Sequence, residues 1–492
     1  MRGIVRVAVA MLVYTLSLAA DAAPDFAPAV FYSAGQFQEG VAAGDLDGDG
    51  DSDLAVLDGA RALRVLFNDG SGAFPTSTTY ADLWSGNTSD IAMADLDRDG
   101  DNDLAVAFFT IYGAVSILLN HGDGSFAAPV DHDTCYSTQA VVIADLNGDG
   151  YRDTASASNC FKASILLNDG HGSFVDNGDW GAGYVPSGID TGDLDGDGDR
   201  EIAYTNGTNS ITLLFNDGAG SFPVMGGVGS SDQPRDVRIA DLDGDGDDDL
   251  TSTITYSDDL AVYLNDGGGS LSAPVKYSLD NAPDKMDAAD LDLDGDVDFV
   301  VANRSGTVSF AINNGSGAFT TRLDRAAGTG PEDVTAADLN GDARPDVVAS
   351  HWDSGRVAVY LNTTSAAPDL DDDGVTDAND CAPGNRAAWA LTSAVSDLLV
   401  GGATTALSWS APDRPGAPVP RYDLLRATAP AAFQQAECVV SDATSRAVTD
   451  PSVPDPGAAF YYLVRARNAC GGNLGVASET TQRQGTSCPS GS

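Results

Sequence analysis

The stretch Asp45-Leu46-Asp47-Gly48-Asp49-Gly50-Asp51-Ser52-Asp53 carries an acid at every second position, and six more copies follow it. The later copies begin at Asp95, Asp145, Asp193, Asp241, Asp290 and Asp338, at steps of 50, 50, 48, 48, 49 and 48 residues. A period this regular marks a repeat architecture in which one supersecondary unit is stacked many times.

Oxygen donors at alternate positions suit a hard cation. Calcium takes six to eight oxygens in flexible geometry, and a glycine in mid-loop lets the chain turn sharply around it. Position one is Asp45, Asp95, Asp145, Asp193, Asp241, Asp290 and Asp338. Position three is Asp47, Asp97, Asn147, Asp195, Asp243, Asp292 and Asn340, and position five is Asp49, Asp99, Asp149, Asp197, Asp245, Asp294 and Asp342. Position nine is Asp53, Asp103, Asp153, Glu201, Asp249, Asp298 and Asp346. Position seven varies freely: Asp51, Asp101, Tyr151, Asp199, Asp247, Asp296 and Arg344. Such tolerance is expected where only the backbone carbonyl binds. An EF-hand is excluded, because it needs a bidentate Glu at position twelve between helices. That position holds Val56, Val106, Ser156, Tyr204, Ser252, Val301 and Ala349. Turn formation alone explains one Asp/Gly loop but not seven at one spacing.

The flanks alternate as strands do. In the second repeat, Ile91–Leu96, Asp103–Phe109, Ala114–Asn120 and Ser125–Val130 read as four strands. An Asn/Gly hairpin at Asn120-His-Gly-Asp-Gly124 joins the last two, and recurs at Asn68, Asn168, Asn216, Asn265 and Asn313. Four antiparallel strands repeated seven times, with a Leu at every loop position two, predict an all-β fold: a seven-bladed β-propeller. The seventh repeat stops after its third strand near Asn362, and Phe26–Tyr32 resembles the missing fourth one. An N-terminal strand completing the last blade would close the ring and remove an exposed edge.

The loop, the L-N-D-G-x-G-x-F hairpin and the pitch near 49 residues resemble FG-GAP/VCBS-type repeats, as in the integrin α-subunit propeller and some fungal lectins. The resemblance covers about residues 26–364 and implies calcium in about seven blade loops. Asn147, Asn340 and Ala343 depart from it, which makes the Asp338 loop the weakest site. Residues 365–387 contain Asp369, Asp371, Asp373, Asp377 and Asp380 ahead of Cys381, similar to a thrombospondin type 3 repeat with one further calcium. Residues 388–485, with Trp409, Tyr422 and the Tyr461–Asn468 strand, resemble a fibronectin type III domain, a small β-sandwich; 486–492 form a tail.

Residues 1–22, with Arg2, Arg6, an apolar run and Ala20-Asp21-Ala22, read as a signal peptide, so the mature domain starts at 23 and a secreted protein is expected. The net charge of −48 comes from 25 basic and 73 acidic residues. Seven calcium ions would still leave it strongly negative, which excludes nucleic acid and anionic membrane as partners. No later stretch is long and apolar enough for membrane insertion. Of six cysteines, Cys135 and Cys160 fall on one face of one blade and are expected to pair. Cys438 and Cys470 lie within the C-terminal domain and Cys381 and Cys488 bracket it.

No P-loop, H-E-x-x-H or G-x-S-x-G motif is present, so a non-enzymatic interaction or adhesion protein is expected. A lectin and a polysaccharide lyase or hydrolase on the same scaffold are the alternatives. The protein or glycan ligand is expected on the face opposite the calcium loops, where Trp84, Tyr112, Tyr136, Phe161, Trp180, Tyr184, Tyr256 and Trp352 fall.

Overall fold

Each Asp loop turns the chain back on itself, so the strand that enters it pairs antiparallel with the strand that leaves. In a computed structural model, residues 23–364 are described except for 60, 82, 85, 110–112, 182–184 and 231, together with seven strands between 399 and 473. The first blade is Gln38–Gly44, Asp53–Asp58, Ala62–Phe67 and Thr76–Tyr80, paired in that order. Five more four-stranded meanders follow, and every second strand starts at loop position nine.

The seventh blade is Pro331–Ala337, Asp346–His351 and Arg356–Tyr360, and its fourth strand is Val30–Ser33 from the other end of the chain. The expected closure is present, but the strand is shorter than expected. Pairing begins only at Val30↔Val359, while Phe26 makes a single bridge to Asn362. The second blade behaves alike: its fourth strand is Val130–Asp133, and Phe126 only bridges Asn120. Pro28 and Pro129 supply the reason, since a proline has no N–H for the ladder and holds the chain off it. First strands likewise end short of the loop, as at Asn87–Ala94.

Seven apolar clusters fill the seven gaps between neighbouring blades. The one joining the last blade to the first contains Val41, Leu54, Val56, Phe74, Leu339, Val348 and Val359. Each loop's position-two Leu is buried in these seams, from Leu46 to Leu339. A ring of blades therefore has no edge at which apolar surface is left over.

The segment after the propeller is a separate unit. Its strands form two antiparallel sheets. One runs Leu399–Gly401, Thr405–Ser408, Ala447–Asp450; the other runs Glu437–Ala443, Arg421–Ala427, Tyr461–Asn468, Gly471–Asn473. The leader at 1–22, the linker acids Asp369, Asp371, Asp373, Asp377 and Asp380, and the Cys381 and Cys488 pairing lie outside the described residues. Among the described residues, no helix is long and apolar enough to cross a membrane.

Candidate metal centre

The position-one acid builds each loop. Asp45 accepts from the N–H of Gly48 at 2.8 Å and of Gly50 at 3.0 Å, and Asp95, Asp145, Asp193, Asp241 and Asp338 make corresponding bonds, while Asp290 accepts from the N–H of Asp294 and Gly295. The position-five acid accepts from the N–H of residue seven in every loop, as Asp49 does from Asp51 at 3.0 Å. These bonds wind the chain through left-handed backbone at positions four and six. Glycine holds most of these positions, but Arg98, Leu293 and Ala343 also adopt positive φ there, a strained conformation for residues with a Cβ. The Asp338 loop, expected to be the weakest, keeps the shared turn despite Ala343.

Five loops gather three carboxylate oxygens within 4.8 Å of one another: Asp45, Asp47 and Asp53; Asp95, Asp97 and Asp99; Asp193, Asp195 and Asp197; Asp241, Asp243 and Asp245; Asp290, Asp292 and Asp294. The Asp145 and Asp338 loops, with Asn147 and Asn340 at position three, keep acids at positions one, five and nine but do not bring three carboxylates this close. An oxygen of Asp47, Asp195 and Asp243 is buried with no hydrogen-bond partner. Burial, and then the neighbouring position-five acid, pushes all three carboxyls above their ordinary range. Buried, unpaired acceptors beside like charges are what a cation would satisfy. The residues fit a hard divalent ion.

Position nine does more than the sequence suggests. Asp53 is fully buried and accepts from the N–H of Leu46 at 3.1 Å with one oxygen and of Asn68 at 2.8 Å with the other. All seven repeats share this clamp, Glu201 included. Burial raises the clamp carboxyls, to about 6 in Asp53 and about 8 in Asp298. The hairpin Asn then ties blade to blade. Asn68 donates to the carbonyl of Leu339, Asn120 to Leu46, Asn168 to Leu96 and Asn216 to Leu146. Asn265, Asn313 and Asn362 complete the circle to Leu194, Leu242 and Leu291, all seven at 2.7–2.9 Å. Each metal loop is thus hydrogen-bonded to the hairpin of the next blade. The Asn that follows each loop's first acid by 23–25 residues was the available signal, but it reads as an ordinary hairpin residue.

Position-seven side chains stand apart from the acid triads. Those of Asp51, Asp101, Tyr151, Asp199, Asp247 and Asp296 cover the hairpin glycine of their own blade, where a Cβ would collide with them. Arg344 pairs with Asp342 at 3.7 Å, and Tyr151 lies under the Arg98 guanidinium.

On the opposite face, Cys135 and Cys160 form the expected disulfide, with Cα atoms 5.8 Å apart. Tyr136, Phe161, Tyr256 and Trp352 are exposed there, as expected. Trp84 is not: it is 3 % exposed and packs with Leu57, Leu63 and Phe108 between the first two blades. Trp180 ends a fourth strand and packs on Phe222, with ring centroids 6.2 Å apart. Both are apolar bodies large enough to fill a blade seam. Tyr112 and Tyr184 lie outside the described residues. His351 is buried and bonds through Nδ1 to the Arg356 carbonyl, while Asp353 and Ser354 are exposed.

The same face opens on the propeller axis, where first strands, with Arg304 from the turn after a second strand, place a charge network that periodicity of the Asp loops had masked. Lys285 lies 3.6 Å from Asp90 and 3.9 Å from Asp236, and Arg238 lies 3.1 Å from Asp236. Arg235 and Arg304 both pair with Asp284, and Arg304 also with Glu332. Burial drives Asp333 up to about 8, and Glu39 and Glu332 up to about 7. A carboxyl with a raised folded-state pKa contributes stability that is full below its unfolded pKa and is lost as pH rises through the folded value. Asp333→Asn is therefore expected to stabilise the protein relative to wild type at pH 8.5 and not at pH 4. Melting temperatures at the two pH values check this; a constant difference contradicts it.

These features define a β-propeller with acidic loops on one face. The FG-GAP-like repeat model matches residues 45–106, 99–156, 145–204, 193–252 and 290–349, more than half of the chain, and the chain belongs to that family. Among solved structures, BBS1N in complex with ARL6DN, from mercury-soaked crystals, is 14% identical with a TM-score of 0.51, over 70% of this chain and 98% of that one. The lead-soaked form gives 14% and 0.50, over 68% and 96%. Raptor of Chaetomium thermophilum gives 13% and 0.50, over 70% of this chain and only 29% of that one. At these identities the likeness shows the fold. No curated protein matches. The expectation of secretion is corrected: the solved propellers matched are intracellular scaffolding proteins and lend it no support. The Cys135–Cys160 bond stands on its geometry alone.

Proposed function

We propose that this protein is a calcium-stabilised, non-enzymatic scaffold whose propeller binds a protein partner on the face opposite the metal loops. The observation that carries this reading is the division of labour between the faces. The metal face repeats one sequence and is tied up in the loop-to-hairpin ring. The other face differs from blade to blade and exposes Phe37, Phe109, Tyr136, Phe161, Tyr256 and Trp352. Exposed aromatics on a rigid rim suit a protein hot spot. BBS1N, which shares the fold, is seen in complex with ARL6DN.

Calcium is preferred to smaller ions because the loops offer many oxygens in a turn set by the backbone, whereas magnesium demands near-octahedral geometry and keeps its waters. All seven loops are proposed sites, with the five acid triads filling first. The module at 388–485 is proposed as a fibronectin type III-like sandwich. Its two sheets take the first, second and fifth strands together and leave the third, fourth, sixth and seventh, as in Greek-key sandwiches. The 365–387 acids are proposed as a thrombospondin type 3-like calcium spacer before it.

The test is affinity capture with the purified chain, followed by alanine variants. Trp352→Ala and Tyr256→Ala are expected to weaken capture of the partner and leave the melting temperature unchanged. Trp84→Ala is expected to cost about 3–5 kcal/mol of stability, as large aromatic deletions in cores do. Loss of the partner on Asp69→Ala or Asp217→Ala in the hairpins, with Trp352→Ala unaffected, would place the ligand on the metal face instead.

A further inference from the structure

The third strand of each blade carries one position that pairs across to the outer strand, two residues before the Leu or Ala that faces the start of strand two. In three blades a serine stands there and donates to an outer-strand aspartate: Ser116 to Asp131, Ser164 to Asp179 and Ser309 to Asp324, each at 2.7 Å. In the first blade the same pair is Arg64 and Thr79. The Arg64 Nε is buried without a hydrogen-bond partner, and no carboxylate lies within ion-pair distance of Arg64 among the described residues. The repeats act as their own control. Where three other blades join the two strands with a short polar pair, the first blade has an unpaired guanidinium.

Arg64 also lines a hollow of about 360 Å³ beside Gly35 and Gly355, together with Phe37, Trp352 and Asp353. Phe37 and Trp352 form its aromatic wall, with ring centroids 5.4 Å apart, and are 48 % and 37 % exposed. Phe37 sits at φ +56°, a conformation that costs energy in a bulky residue and persists where the surroundings impose it. Here the Gly59 N–H fixes it by bonding the Phe37 and Gln36 carbonyls, both at 3.0 Å.

We propose that this hollow between the seventh and first blades binds a carboxylate carried on an apolar or aromatic body, as at the C-terminus or an acidic side chain of a partner polypeptide. Arg64 recognises the carboxylate, and the Phe37–Trp352 wall holds the body. A guanidinium fork matches a carboxylate with two parallel N–H···O bonds, and buried donors of this kind are rarely left unmade. The hollow has the volume of a small-ligand site, enough for one or two side chains. Asp353 at the mouth offers an acceptor for an amide N–H, which a peptide carries beside its carboxylate and a simple anion lacks. The chain's net charge of −48 repels free anions at long range, so the apolar body has to supply part of the affinity. This inference rests on the reading that the face opposite the metal loops carries the partner.

The test titrates the full chain, with calcium present, with N-acetylphenylalanine, with the capped peptide acetyl-Phe-Glu-Ala-amide and with neutral N-acetylphenylalaninamide, followed by tryptophan fluorescence. Saturable binding of either acid is expected, with the tighter of the two telling a chain terminus from an acidic side chain. The neutral amide is expected to bind at least about tenfold more weakly, as loss of a charged hydrogen-bonded pair implies. The double variant R64S/T79D rebuilds the Ser–Asp pair of three other blades, so it is expected to melt as wild type does and to lose at least about tenfold in affinity for the acids. Equal binding of acid and amide, equal binding by R64S/T79D, or saturable binding of methyl glucoside in place of the acids overturns the proposal. If a captured protein partner maps to this face by Trp352→Ala yet ignores R64S/T79D, the carboxylate site falls and the scaffold function stands.

Discussion

Removal of residues 23–36 is expected to abolish cooperative folding of the propeller and to drive the truncated chain into aggregates. The segment supplies the fourth strand of the seventh blade, and its Val30–Ser33 pairs with Arg356–Val359. Without it the Arg356–Tyr360 strand becomes an open edge with unpaired N–H and C=O groups, a template for association. Phe26 is 6 % exposed and stacks on Phe310 at 4.3 Å, in the seam between the sixth and seventh blades. Ala34 is fully buried in the next seam, and the Ala27 N–H bonds the Leu361 carbonyl at 2.8 Å. The segment therefore spans two of the seven seams. Phe26→Ala alone is expected to cost about 3–5 kcal/mol, a large share of the roughly 5–15 kcal/mol that holds a typical domain together. Val30→Ala, at an exposed position of the same strand, is expected to change stability by less than about 0.5 kcal/mol. Thermal melts and size-exclusion chromatography check the set. A truncated chain that stays monomeric and melts with wild type would mean the ring does not depend on its clasp.

Chelation of divalent ions is expected to lower the melting temperature by more than about 10 °C, and added calcium to restore it. Three carboxylate oxygens lie within 4.8 Å of one another in five loops, and each such repulsion costs about 1 kcal/mol even in high dielectric. Bound metal reverses that term and adds about 2.7 kcal/mol per site at a hundredfold excess over Kd. The loops do not act alone, because each position-two carbonyl accepts from the hairpin Asn of the following blade. Strain in an empty loop is thus passed to its neighbour. Asn168→Ala, which cuts one link between blades, together with the bonds of the same side chain to the Arg152 carbonyl and the Gly170 N–H, and removes no acid, is expected to lower stability by about 1–3 kcal/mol. Equal melting curves in chelator and in calcium would remove the metal from the account of stability.

Much of this was legible in the sequence because the repeat does the arithmetic. Seven copies of one loop fix strand order, and the absent strand after Asn362 together with the Phe26–Tyr32 echo fixes the closure. Strand ends were less legible, since Pro28 and Pro129 delay the ladder by several residues. The position-nine acids were read as ligands from residue type and loop spacing; their two backbone bonds depend on where the Asn hairpin lands in space. Trp84 and Trp180 show the limit of placing residues by loop position. A large aromatic in a connector can fold back into a seam, and only packing distinguishes it from Trp352. The axial charges and Arg64 were hidden for a different reason. They are departures between repeats, and the Asp loops drew attention to what the repeats share.

Calcium occupancy is tested most directly by native mass spectrometry of chelator-stripped protein titrated with calcium. At least five ions per chain are expected, one for each acid triad, with the Asn147 and Asn340 loops filling last. A chain that takes up none or one, or that takes up magnesium equally well, would contradict the assignment of these loops as calcium sites.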